Sequence, residues 1–146
     1  MIFKRSYLFL GLIALIIFIQ LIPVDRENPS SDSESELKAP YEIKAILKKS
    51  CFDCHSNQTH WPFYSYIAPV SWLIAKDVKK GRTELNFSEW DKLTEKKRKN
   101  VKEEIIEEIS DNEMPLPLYL ITHSGAKLSD EQKLKLKHWV DSSNSQ

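Results

Sequence analysis

The chain has 146 residues, enough for one small domain with terminal segments. Its 21 basic and 21 acidic side chains balance, so no overall positive charge attracts nucleic acid. Only two cysteines occur, Cys51 and Cys54, whereas a secreted domain built on disulfides needs more of them at wider spacing. These counts argue against a nucleic-acid-binding protein and against a disulfide framework.

An apolar stretch runs from Tyr7 to Val24, directly after Lys4 and Arg5. As one helix it would reach the lower limit, about 17 residues, for crossing a bilayer. We therefore predict that residues 1–24 form an uncleaved membrane anchor; the alternative is a cleaved secretory signal, but no small-x-small site follows the stretch. By the positive-inside rule this predicts a single-pass protein of the bacterial inner membrane, with its domain in the periplasm and the lipid bilayer as a partner.

The next segment, residues 25–39, is acidic, rich in serine and nearly without apolar side chains. Such a composition buries too little surface to order itself. We predict a flexible linker here, and a solvated loop of the domain is the alternative.

Residues 40–142 show only helical patterns, which predicts an all-α domain of about four helices. Pro40 suits the first turn of a helix that leads to Cys51. Pro69 can begin a second helix, with Gly81 as its stop. The apolar stripe predicted for the first helix consists of Ile43, Ile46, Leu47 and Ser50.

The second half of the domain contains two further helical regions. Ser88 resembles the N-cap of a third helix that ends near Asp111. Ser129 and Gln132 have the spacing of a capping box, which predicts the start of the last helix. No two-residue turn between alternating apolar residues is present, so strands are not expected.

The chemistry of the chain is concentrated in Cys51-Phe-Asp-Cys54-His55. Two thiols one helical turn apart can reach the two vinyl groups of a haem, and the adjacent histidine can bind the iron. We predict one covalent haem c, attached through Cys51 and Cys54, with His55 as the proximal iron ligand.

Other functions of a Cys-x-x-Cys pair fit less well. A thioredoxin-like redox pair belongs to a βαβ context, which the pattern lacks. Zinc needs about four ligands, usually from a second Cys/His pair, and none is present. A haem-free structural disulfide is sterically poor at this spacing.

Met114 is the predicted distal iron ligand. It lies in Met114-Pro115-Leu-Pro117, where the prolines stiffen the backbone, and Met1 is the only other methionine. A thioether is a soft ligand suited to haem iron. His123 is the alternative, and His60 and His138 are weaker candidates.

Further segments of specific composition surround the motif and cover nearly everything from residue 50 to 139. They are Cys51-Phe-Asp-Cys54-His55-Ser-Asn, Trp61-Pro62-Phe-Tyr64, Ala68-Pro69-Val-Ser71-Trp72-Leu, Asp77-Val78-Lys-Lys-Gly81-Arg82, Leu85-Asn86-Phe87-Ser88-Glu-Trp90, Met114-Pro115, Tyr119, and His123 with Ala126-Lys-Leu128-Ser. In these segments the chain resembles the haem-binding domain family of small bacterial c-type cytochromes. The resemblance implies a cytochrome c-like helical fold around covalent haem, with an axial histidine at His55. One departure is Ser124, where the family usually has proline.

The function expected from these features is one-electron transfer between redox partner proteins. A haem iron ligated by His55 and Met114 has no open position for a substrate, and no enzymatic activity is expected from a single haem motif without a recognisable distal acid/base pair. The alternative is a haem-based sensor or small-ligand binder in which the distal ligand dissociates. Trp61, Trp72, Tyr64, Tyr119 and Arg82 either contact the haem or serve ordinary packing.

Overall fold

The protein is described by a computed structural model that covers residues 2–144, with side chains described for 7–143. Within this range no strand is found and three short 3-10 helices, Phe63–Tyr66, Phe87–Lys92 and Ser124–Ala126, join seven α-helices. The α-helices are α1 (Ile2–Ile19), α2 (Tyr41–Ser50), α3 (Phe52–His55), α4 (Val70–Glu84), α5 (Glu95–Ser110), α6 (Pro117–Thr122) and α7 (Asp130–Asn144). The prediction of an all-α fold is confirmed, with more and shorter helices than the four expected.

The prediction of a membrane anchor over residues 1–24 is wrong. Helix α1 ends at Ile19, so its apolar part from Tyr7 onward rises only about 20 Å, against the roughly 30 Å of a hydrocarbon core. Among the residues that the structure describes, none of the helices has the length and apolarity to cross a membrane. The predicted single-pass inner-membrane location, with the domain facing the periplasm, is overturned with it. The side chains of Lys4 and Arg5 lie outside the described residues.

The chain after α1 turns back onto the helical domain. The Gln20 amide accepts a hydrogen bond from the Ala68 N–H at 2.9 Å and donates one to the Ala68 carbonyl at 3.2 Å. Farther along, Leu37 is buried, and its N–H donates to the Phe87 carbonyl at 2.9 Å. The segment 25–39, for which the sequence predicts a flexible linker, therefore contacts the domain near its C-terminal end, and near its N-terminal end Arg26 donates to the Ser65 carbonyl.

The hydrophobic core lies where α2, α5 and α7 pack together. The predicted stripe of α2 is confirmed, because Ile43, Ile46, Leu47 and Ser50 are all buried. Leu136 of α7 has no exposed surface. Phe52 stacks on Phe87 with ring centroids 5.1 Å apart, which joins α3 to this core. Because Phe52 belongs to the Cys-x-x-Cys-His segment, its packing in the core fixes the position of that segment.

Helix ends agree with the sequence in part. Ser129 and Gln132 form the predicted capping box, with reciprocal bonds of 2.9 and 3.2 Å. Helix α5 is capped by Thr94 and not, as the sequence predicts, by Ser88. Ser88 lies instead in the 3-10 helix Phe87–Lys92, where its N–H donates to the Asn86 side chain. Gly81 does not stop its helix, because α4 continues to Glu84.

Candidate functional site

The Cys-x-x-Cys-His segment forms a single helical turn after α2. The Cys51 N–H donates to the Leu47 carbonyl at 2.8 Å, and the His55 N–H donates to the Cys51 carbonyl at 2.9 Å. Phe52 is buried and anchors the turn, while Cys51, Cys54 and His55 are half-buried. Both cysteines are free thiols. The three residues predicted to bind a haem thus lie together on one rigid turn.

The ring of His55 is oriented by the end of α4. Its Nδ1 lies 3.0 Å from the Gly81 carbonyl oxygen and 3.1 Å from the Leu85 carbonyl oxygen. Since both partners are acceptors, Nδ1 carries the proton and Nε2 keeps a free lone pair. Burial lowers the pKa of His55 although the two backbone hydrogen bonds act the other way, which favours the neutral ring that a metal ion binds.

The thiols differ from those of a reactive redox pair. Burial, with a smaller contribution from Cys54, raises the pKa of Cys51 to about 12. Burial, followed by the nearby Asp53 and Asp77, raises the pKa of Cys54 to about 11. Catalytic cysteine pairs have a lowered pKa in electropositive surroundings. The environment therefore argues against a thioredoxin-like activity.

A cavity of about 130 Å³ brings the predicted haem ligands together. Cys51, Cys54 and His55 line it, as does Met114 from the loop before α6. The Met114 N–H donates to the Glu108 carbonyl at 3.2 Å, which ties this loop to the end of α5. The structure thus places the predicted proximal and distal ligands on one cavity, although they are far apart in sequence.

A second, larger cavity of about 450 Å³ adjoins the first. The two share Asp53, Cys54, Asp77, Leu116 and Tyr119. Its walls are mainly apolar and come from α4, α6, the motif turn and the segment 59–64. The apolar wall residues of these two helices are Val70, Leu73, Ile74, Val78, Leu118 and Ile121.

His123 lines the second cavity and not the first. Its ring stacks on Tyr119 at 4.1 Å between centroids, and its Nδ1 lies 3.2 Å from the Tyr119 carbonyl. The Tyr64 hydroxyl lies 3.3 Å from Nε2. His60 also lines the second cavity, whereas His138 is exposed on α7 and lines neither.

Tyr119 links α6 directly to the cysteine motif. Its hydroxyl donates a 2.7 Å hydrogen bond to the carboxylate of Asp53, which stands between the two cysteines. Burial and this hydrogen bond raise the pKa of Tyr119 well above its ordinary value, so the phenol stays protonated. From the sequence alone Tyr119 is one of several aromatic candidates, and no sequence pattern indicates its bond to Asp53.

The other aromatic and basic candidates divide into two groups. Tyr64 lies on the second cavity, as does Tyr119. Trp61, Trp72 and Arg82 instead line a separate cavity of about 650 Å³, next to the chain segment that follows α1. These three side chains therefore pack near that segment and do not line the cavities that hold the predicted haem ligands.

Comparison with protein families also indicates haem binding. The family model for the haem-binding domain matches residues 14–142, nearly the whole chain. The chain belongs to the haem-binding domain family. It is thus a haem-binding protein, and the matched range includes the motif at Cys51–His55, Met114 and His123. No curated protein and no solved structure matches the chain significantly.

The residues of this haem-binding domain suit the group that the family implies. Ligand sites of about 300–1,000 Å³ with mostly apolar walls and a few polar groups are typical for organic cofactors. The second cavity has this size and character, and Cys54 connects it to the smaller one that holds His55. A neutral imidazole with its Nδ1–H bonded to backbone is the usual form of a metal-binding histidine.

Proposed function

We propose that this chain is a c-type haem protein that acts as a one-electron carrier. The observation that carries the proposal is the cavity on which Cys51, Cys54, His55 and Met114 meet. No other set of residues in the described chain combines two thiols, an oriented imidazole and a thioether. A haem bound there supplies an iron that changes between the ferric and ferrous states.

Cys51 and Cys54 would hold the haem covalently. Each S–H would add across one vinyl C=C bond of the haem, so that a carbon–sulfur bond would form and the hydrogen would pass to the other vinyl carbon. The motif turn keeps the two sulfurs at a fixed separation, and Phe52 anchors that turn in the core. Covalent attachment would retain the haem although the two cavities are partly open to solvent.

His55 and Met114 would be the axial ligands. His55 offers Nε2, because Nδ1 donates to α4. Met114 shares the cavity with His55, whereas His123 does not, and this supports Met114 over His123. Thioether ligation stabilises ferrous iron and raises the reduction potential. With His55 and Met114 both bound to it, the iron would exchange electrons with partner proteins and would offer no site for a substrate, so we propose no enzymatic role.

The covalent link is tested on protein matured with a haem-attachment system. The pyridine haemochrome spectrum should be that of a c-type haem, and haem staining after denaturing electrophoresis should mark the protein band. Cys51→Ala and Cys54→Ala should each lower haem retention, whereas His138→Ala on the exposed face of α7 should not. Extraction of all haem by acidified acetone would contradict covalent attachment.

The axial ligands and the carrier role are tested by spectroscopy. The oxidised protein should show the weak near-infrared sulfur-to-iron band, and the ferrous protein should bind carbon monoxide poorly. Met114→Ala should lower the reduction potential or open the iron to carbon monoxide, whereas His123→Ala should change neither. Ready binding of carbon monoxide to the unmodified protein would instead favour a sensor or small-ligand binder.

A further inference from the structure

At Gly81 the backbone of α4 comes very close to the Cys-x-x-Cys-His turn. A β-carbon at residue 81 would lie 2.6 Å from the Cys54 carbonyl oxygen and 3.2 Å from the Cys54 β-carbon. The carbonyl is backbone, so it cannot move aside as a flexible side chain would. Glycine is unfavourable inside a helix, and its place within α4 therefore has a packing cause.

The same residue also contacts the axial histidine. The Gly81 carbonyl accepts from His55 Nδ1 at 3.0 Å, and the second acceptor, Leu85, follows the last residue of α4. Both acceptors are thus carried by one helix end. The separation of α4 from α3 consequently decides whether the ring N–H of His55 reaches them.

We propose that Gly81 is a positioning residue for the axial histidine, and that the close helix approach it allows sets the reduction potential of the haem. The inference rests on the proposed function, because it needs His55 on the iron. It assigns to Gly81 a role in tuning the iron as well as in packing the helices.

The direction of the effect follows from the hydrogen bond. A histidine that donates its second ring N–H to a carbonyl becomes a more basic ligand. A more basic ligand stabilises ferric iron more than ferrous iron and so holds the potential down. Any side chain at residue 81 pushes α4 away, lengthens both contacts from Nδ1 and raises the potential.

The test compares two glycine-to-alanine variants of the haem-loaded protein. Gly81→Ala should raise the reduction potential, and a tenfold change in the ferric-to-ferrous ratio corresponds to about 59 mV. Gly125→Ala is the matched control, because its β-carbon meets only the end of the flexible Lys49 side chain at 3.4 Å. This variant should keep the wild-type potential.

A second measurement on the unmodified ferrous protein is independent of whether Gly81→Ala folds. The ring N–H proton of His55 should exchange slowly with solvent and show nuclear Overhauser contacts to the α-protons of Gly81. A fast-exchanging proton without these contacts overturns the inference, as does an unchanged potential in a folded Gly81→Ala protein. Wild-type protein that attaches no haem would instead overturn the proposed function, and the inference with it.

Discussion

Replacing Arg82 should loosen the attachment of the chain segment that follows α1. The guanidinium donates from Nε to the Ser56 carbonyl at 2.8 Å and from Nη1 to the Glu27 carbonyl at 2.9 Å. Its Nη2 donates to Asn28 Oδ1 at 2.7 Å and to Thr59 Oγ1 at 2.8 Å. One side chain thus joins the segment after α1 to the loop that follows the haem motif.

The size of the effect follows from the burial of these partners. A hydrogen bond to a charged group contributes about 1.5–3 kcal/mol where solvent cannot replace it. Ser56 and Thr59 are buried, whereas Glu27 and Asn28 are exposed and water can take the place of the guanidinium there. We therefore expect Arg82→Ala to lower the free energy of unfolding by about 3 kcal/mol, from the two inner bonds. Arg82→Lys should recover only part of it, because an ammonium cannot reproduce the planar fork.

Urea unfolding of the haem-loaded protein measures this change. Lys79→Ala, on the exposed face of the same helix, is the control and should stay within about 0.5 kcal/mol of wild type. A double-mutant cycle with Thr59→Val should be non-additive, since the two side chains share one of the inner bonds. An Arg82→Ala protein as stable as the control, or strictly additive changes, would refute the assigned role.

Three further predictions concern substitutions of single side chains. Tyr119→Phe should destabilise the protein by about 1.5–3 kcal/mol through the lost bond to Asp53, and Tyr64→Phe, by the same denaturation assay, should cost less. Burial alone would raise the pKa of Glu36, but hydrogen bonds from Lys44 and Gln58 outweigh it and the net pKa is lowered. Glu36 therefore stabilises the fold above its unfolded pKa near 4.5, and this contribution is lost as the pH falls through the lower folded value; Glu36→Gln should flatten the acid side of a stability–pH curve. Ser129→Ala should cost about 1 kcal/mol in thermal unfolding by removing the capping box of α7, and an unchanged midpoint would contradict that cap.

Some local signals in the sequence predicted local structure correctly, whereas the N-cap predicted at Ser88 was wrong. The stripe that includes Ile43 and Leu47 gave α2, and the Ser129–Gln132 spacing gave the start of α7. The Cys51–His55 motif was likewise recognised from residue types and spacing. These features depend on neighbours within one or two helical turns, which a sequence displays directly.

Features that depend on distant neighbours were missed or mistaken. The sequence predicts a helix stop at Gly81 because glycine commonly ends helices, whereas glycine is needed there because the backbone of Cys54 lies against it. The apolar run to Val24 predicted a spanning helix, but α1 ends at Ile19. The hydrogen bonds of Arg82 bring together residues 23 to 55 positions apart, which no periodicity reveals.

Hydrogen bonds hold the chain to the domain on both sides of residues 31–34, so the two sides stay attached independently of the peptide bonds between them. These four residues are exposed, while Arg26 and Asn28 before them and Leu37 after them are each held by the domain. A protease that cuts within 31–34 would therefore leave both new ends bound. The nicked protein would elute at its original size in gel filtration and separate into two fragments only under denaturing conditions.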